Sequence, residues 1–159
     1  MSATPAPTPR KNPNPAAAIL WGGLLAASFD LTFAVLYNGA HGVTPIQIFQ
    51  SIASGWLGLS AFAGGVPAAA LGIASHYFIL LVAASVYYAA SRKLGFLTQR
   101  AVFWGVLYGI AIYGFMHLVV LPLSAAPAFK GSIVGSLSDL ASHMFLVGLS
   151  ISLAVRKYA

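Results

Sequence analysis

The chain has 159 residues, of which 59% are hydrophobic, 6% are charged and only two are acidic. Soluble globular domains carry about 25% charged residues, so this composition excludes an ordinary water-soluble domain and indicates an integral membrane protein. The formal net charge of +6 does not indicate nucleic-acid binding, because the eight basic residues flank hydrophobic segments and form no patch. Cysteine is absent, which excludes disulfides and thiolate metal ligands.

Residues 1–15 form a tail rich in proline, alanine and threonine. Five prolines among these fifteen residues oppose helix formation, and we predict a disordered cytoplasmic tail. The apolar run that follows is longer than the roughly 7–15 residues of a signal-peptide core. We therefore expect an uncleaved first span.

Residues 16–159 are predicted to form a single all-α transmembrane domain with four membrane-spanning helices. Each apolar segment reaches the length of about 20 residues that crosses the hydrocarbon core. The four predicted spans cover residues 16–37, 67–91, 101–121 and 132–155. The lipid bilayer is thus the first predicted partner of the chain.

The basic residues predict the orientation of these spans. Only Lys130, in the connection between the third and fourth predicted spans, lies on one side of the membrane. The other seven lie on the opposite side: Arg10, Lys11, Arg92, Lys93, Arg100, Arg156 and Lys157. Because basic residues concentrate in cytoplasmic loops, we expect both termini in the cytoplasm.

Residues 45–62 are predicted to form an amphipathic helix that does not cross the membrane. Thr44 and Pro45 have the residue types of a helix N-cap and first helical position. Uncharged polar residues mark one face and apolar residues the other: Gln47, Gln50, Ser51, Ser54 and Gly58 against Phe49, Ile52, Ala53 and Trp56. Such a helix lies at the outer interface or enters the membrane as a re-entrant segment.

Two internal echoes indicate a duplicated helical hairpin. Residues 21–24 and 104–107 open the first and third spans with Trp-Gly-Gly-Leu and Trp-Gly-Val-Leu, and residues 74–76 and 141–143 repeat Ala-Ser-His. Two hairpins of equal orientation would be related by an axis along the membrane normal. Small residues four positions apart also favour close helix packing: Gly105 and Gly109, Gly131 and Gly135, Gly23 and Ala27, and Ala68 and Gly72.

Four ionisable residues from three predicted spans form the candidate site: Asp30, His76, Asp139 and His143. An acidic residue at the centre of a span costs about 2.5–3.5 kcal/mol on insertion scales, so these groups should face inward and find partners. We expect Asp139 to pair with His143, one helical turn away, and Asp30 to pair with His76 across a helix interface. Tyr113 and His117 share a face and extend this predicted polar network.

The chemistry of the network leaves several interpretations open. Histidine–aspartate hydrogen bonds can fix the register of membrane helices. His76, His143, Asp139 and Asp30 are also the residue types that bind a transition metal such as zinc, iron or manganese. A haem held between His76 and His143 is a further alternative, and so is passage of a proton or small ion.

Four segments together resemble a group of small, uncharacterised bacterial inner-membrane proteins with four spans: residues 51–58, 61–65, 71–76 and 119–124. The resemblance covers about residues 16–159 and implies a bacterial origin and the four-span topology. It implies no activity. Neither a hydrolase arrangement nor a phosphate loop is apparent in the sequence. We therefore predict a non-catalytic membrane protein, such as an accessory subunit that binds another membrane protein or a second copy of itself.

Overall fold

The computed structural model describes residues 13–128 and 131–158, and within these ranges all regular structure is helical. The helices are α1 (Pro15–Gly39), α2 (Pro45–Leu57), α3 (Gly65–Lys93), α4 (Phe96–Gln99), α5 (Ala101–Leu123) and α6 (Ile133–Tyr158). Helices α1, α3, α5 and α6 are long and apolar enough to cross a membrane, which confirms the predicted all-α architecture with four candidate spans. Of the tail predicted to be disordered over residues 1–15, residues 1–12 lie outside the described residues, and Pro15 already belongs to α1.

Both ends of the described chain lie at one end of the helix bundle. The Asn14 amide donates to the Tyr158 carbonyl at 2.8 Å. Asn14 also caps α1, since its side chain accepts from the Ala17 amide at 3.0 Å, and Pro15 occupies the first turn. We call this the basic end, because it carries Arg92, Lys93, Arg100, Arg156 and Lys157. The other end carries the connections 40–64 and 124–128 and is called the opposite end.

Helix α1 packs between α3 and α6, while α5 packs on α6. The α5–α6 seam consists of Gly105, Gly109 and Gly148. A Cβ atom at Gly109 would collide with the His143 carbonyl, and one at Gly148 with the Gly105 carbonyl. The predicted pair Gly105 and Gly109 therefore lies where two membrane helices approach most closely.

Helices α3 and α5 meet through side chains, and their backbones lie further apart. The Tyr108 hydroxyl of α5 donates to the Ala83 carbonyl of α3 at 2.7 Å. The rings of Tyr87 and Tyr108 lie 4.8 Å apart between their centroids. The four long helices thus close into a bundle with one looser side.

Two turns of the long helices are widened into π-helical geometry. The first covers Met116–Val120 in α5. It precedes Pro122, which has no amide proton and whose ring crowds the carbonyl four residues earlier. Helix α5 therefore runs to Leu123, two residues beyond the predicted end of the third span at residue 121. The second widened turn covers His143–Gly148 in α6.

Helix α2 packs across α3 near the opposite end. Gly72 of α3 has no side chain, which lets the Phe49 carbonyl of α2 lie directly against it. Gln50 Nε2 donates to the Gly65 carbonyl at 3.1 Å, and Trp56 Nε1 donates to Ser75 Oγ at 3.0 Å. Gln50 and Ser54, which were assigned to the polar face, are buried against the protein. Part of the polar face of α2 therefore packs on the protein, where the Gln50 amide finds its partner.

Candidate functional site

Asp30 is a buried carboxylate with only 9% of its surface exposed. It falls on the same helical face of α1 as Gly22, Gly23, Ala26 and Ala27, all of which are buried. Small residues on this face bring the neighbouring helices close, so the aspartate is enclosed. Its position in the bundle therefore follows from the packing face of α1.

Two other helices contact this carboxylate. Ser142 Oγ of α6 donates a hydrogen bond to Asp30 Oδ1. His76 of α3 places Nε2 3.8 Å from Asp30 Oδ2. A single acidic group on α1 is thus shared between α3 and α6, and we call Asp30, His76 and Ser142 the inner group.

His76 is tied to α1 at a second point. Its Nε2 lies 3.1 Å from the Ala27 carbonyl. A carbonyl oxygen only accepts, so Nε2 carries the proton in this contact and donates it. One residue further along α3, the Tyr77 hydroxyl lies 3.0 Å from Ser28 Oγ of α1. The α1–α3 interface therefore holds two adjacent polar contacts.

A second group lies between α5 and α6. His143 Nδ1 is 3.3 Å from Asp139 Oδ1 and 2.9 Å from the Asp139 carbonyl oxygen. His117 Nε2 of α5 is 3.7 Å from Asp139 Oδ2. The Tyr113 ring lies 4.1 Å from that of His117 and 5.6 Å from that of His143. We call Tyr113, His117, Asp139 and His143 the outer group.

The two groups differ in exposure and depth. The side chains of His117 and Asp139 are 39% and 44% exposed, whereas that of His143 is 13% exposed. At 1.5 Å per residue, Asp139 lies about 9 Å and His143 about 15 Å from the start of α6. Asp30 lies about 14 Å from the end of α1 on the same rule. The outer group therefore leads from the opposite end of the bundle toward the inner group.

The structure brings together the pairs that the sequence predicts. Asp30 meets His76, Asp139 meets His143, and His117 joins the latter pair. Ser142 of the inner group directly precedes His143 of the outer group on α6, which makes the two groups neighbours. All six predicted residues thus belong to one network.

Ser142 is the member that sequence reasoning did not assign. The sequence shows correctly that Ser142 and His143 point to different sides of a helix, but it does not show that the serine side faces Asp30. The sequence does contain a feature that points to Ser142, because this residue is the serine of the repeated Ala-Ser-His segment and lies in the same span as Asp139. A buried hydroxyl in such a segment needs a partner within the protein.

The four residues considered as metal ligands are divided between the two groups. Within residues 13–128 and 131–158, no three His, Asp or Glu side chains are arranged to hold a metal ion. His76 uses Nε2 to contact the Ala27 carbonyl, and His143 uses Nδ1 to contact Asp139.

No protein family, curated protein or solved structure matches this chain. The class is therefore defined by the fold and the site alone. Four helices have the length and composition of membrane spans, as in a multi-pass membrane protein. Within them, titratable side chains from all four helices form a polar network.

Proposed function

We propose that this chain is a non-catalytic integral protein of a bacterial inner membrane, which serves as an accessory or structural subunit. The observation that carries the proposal is Asp30. A buried carboxylate is costly unless its oxygens find partners, and those of Asp30 meet Ser142 and His76 from two different helices. Such a contact fixes the positions of three helices relative to one another, which is the task of a scaffold.

The test combines stability with chemical analysis of the purified protein. Asp30→Leu should lower the thermal stability in detergent, because Ser142 and His76 lose their shared partner. The wild-type protein should show no visible absorption band and no stoichiometric metal. A bound haem or metal that disappears in the Asp30→Leu or His76→Leu variant would contradict the scaffold role and favour the cofactor alternative.

We further propose that the basic end faces the cytoplasm, by the positive-inside rule. A thiol-labelling test suits this chain, because its sequence has no cysteine. Gly95→Cys lies in the turn at the basic end. Gly39→Cys lies at the end of α1 and has no atom within 4 Å of its new Cβ. Gly42 is a poorer site, since its φ of +84° favours glycine. Labelling of Gly95→Cys from outside intact cells would contradict this orientation.

An accessory subunit requires a partner, which we propose to be another integral membrane protein or a second copy of this chain. Support comes from α5, whose backbone packs closely on α6 alone among the long described helices, and which exposes Leu118 and Leu123 by 79% and 83%. A photo-crosslinking residue at Leu118 should capture a protein, whereas one at Phe78, exposed by 64% on α3, should capture lipid. If neither position captures a protein, the accessory role is contradicted.

A second candidate is proton binding or passage, and the depth of the network favours it. Asp139 and His117 are partly exposed, while His143, Asp30 and His76 continue inward. Toward the basic end, however, the buried described residues beyond the inner group include no Asp, Glu, His, Lys or Arg; they are mainly apolar, such as Leu80 and Val147, with the hydroxyl groups of Tyr87 and Ser152 among them. The series of Asp and His side chains thus ends at the inner group, which favours the scaffold over a conduction pathway.

Purified protein in liposomes that contain a pH-sensitive dye separates the two candidates. Under an applied membrane potential, proton flux that Asp30→Asn abolishes would favour the second candidate. Equal flux in wild-type and empty liposomes would reject it and leave the scaffold proposal unaffected.

A further inference from the structure

A shallow, open groove of about 520 Å³ lies at the basic end between the start of α5 and the last turn of α6. Arg100 and Arg156 lie at its rim. Below them the wall is formed by apolar side chains of the first turns of α5, among them Val102, Phe103 and Val106. The groove is thus positively charged at the membrane edge and apolar toward the membrane interior.

Within residues 13–128 and 131–158, the two guanidinium groups have no counter-charge. Both arginines are exposed, and no ion pair or hydrogen bond links either side chain to another described residue. The chain contains only two acidic residues, Asp30 and Asp139, and both contribute to the network near the other half of the bundle. An anion from outside the protein is therefore the complementary partner.

The backbone at this point adds to the positive potential. Helix α5 begins at Ala101, directly after Arg100, and no side chain caps its first amide groups. Unpaired amides at the start of a long helix carry a partial positive charge and favour an anion. Arginine is also the side chain best suited to bind phosphate, because its planar guanidinium presents several donors.

The wall of the groove accounts for the rest of the ligand. Val102 and Val106 are one helical turn apart and share a face of α5, and Phe103 lies beside Val102. Val102 and Phe103, near the start of α5, are each 56% exposed. An alkyl chain that runs along this face would cover them.

We propose that this groove binds one anionic phospholipid, with its phosphate between Arg100 and Arg156 and one acyl chain along Val102 and Val106. Basic pockets between membrane helices recognise lipid headgroups in this way. The inference goes beyond the proposed function, because it involves neither the inner nor the outer group. It gives the basic end a specific lipid partner in addition to the general attraction of basic residues to anionic membranes.

Native mass spectrometry of the detergent-purified protein, titrated with phosphatidylglycerol, tests the site. The wild-type protein should retain one phosphatidylglycerol molecule in preference to phosphatidylcholine. The Arg100→Gln/Arg156→Gln variant should bind phosphatidylglycerol about 30-fold more weakly, the loss expected for two basic residues next to an anionic lipid surface. These side chains are exposed, so the variant should fold.

A matched control removes the same charge elsewhere at the basic end. Arg92→Gln/Lys93→Gln changes two exposed basic residues that do not line the groove, and it should leave the bound lipid in place. An equal loss in both double variants would overturn the proposal, since it would show general charge attraction. Val102→Trp fills the groove and keeps both charges, and unchanged lipid retention in that variant would equally overturn it.

Discussion

The bond between Ser142 and Asp30 offers the sharpest quantitative test of the network. Ser142→Ala removes the donor, Asp30→Leu removes the acceptor, and the double variant removes both. A hydrogen bond to a charged group contributes about 1.5–3 kcal/mol in general. Polar pairs within membrane helices average about 0.6 kcal/mol and reach about 1.7 kcal/mol. Because Ser142 is 3% and Asp30 9% exposed, we expect a coupling near the upper membrane value, about 1.5 kcal/mol.

The assay is the free energy of unfolding in mixed micelles, measured for the wild type, both single variants and the double variant. The double variant should be milder than the sum of the single changes. Ser150→Ala is the matched control, because Ser150 lies in the same helix and has no hydrogen-bond partner within the described residues. This control should change the stability by less than about 0.5 kcal/mol.

Two outcomes would refute this reasoning. Independent sites add to within about 0.3–0.5 kcal/mol, so a coupling inside that margin would mean that Ser142 and Asp30 do not interact. A Ser150→Ala effect as large as that of Ser142→Ala would show that any serine of α6 matters equally. In either case Asp30 would not be the point where the three helices are joined.

Three further measurements probe other parts of the molecule. Gly109→Ala should destabilise the protein by about 1–3 kcal/mol in thermal unfolding, because its Cβ meets the His143 carbonyl. Gly114→Ala has free space around it and should be neutral or slightly stabilising, so equal effects would contradict the seam. Asp139→Leu and His143→Leu should couple by only about 0.6 kcal/mol, and a coupling above that of Asp30 and Ser142 would contradict the order of burial. Deletion of residues 2–12 should leave the melting temperature unchanged, whereas a large fall would mean that the tail docks.

The overall architecture could be predicted because it depends on composition and segment length. The second span was predicted at residues 67–91, and the helix covers Gly65–Lys93. The third was predicted to end at residue 121, but α5 continues to Leu123. A proline marks a helix end only when no neighbouring turn widens to accept it. The membrane helix provides that widened turn, since unpaired backbone groups are costly in lipid.

The site could be predicted only at the level of which residues form pairs. Spacing alone places Asp139 and His143 one turn apart on α6. The rotation of α6 about its own axis is set by its contacts with α1 and α5, and these decide that Ser142 faces Asp30. His117 and His143 both lie in widened turns, where the regular helical period no longer predicts direction. The directions of the Ser142, His117 and His143 side chains are therefore determined by tertiary packing, which the sequence pattern does not show.

The repeated Ala-Ser-His segments contribute to the network in an unequal way that helix geometry explains. Helices α3 and α6 both run from the opposite end to the basic end of the bundle, and both pack against α1. From α3 it is the histidine, His76, that reaches Asp30, whereas from α6 it is the serine, Ser142. Consecutive residues of a helix point about 100° apart. A difference of that size in the rotation of α3 and α6 about their axes therefore changes which position of the segment faces α1. The duplication of the hairpins stays a prediction. The two Ala-Ser-His segments nevertheless both contact Asp30, one through its histidine and the other through its serine.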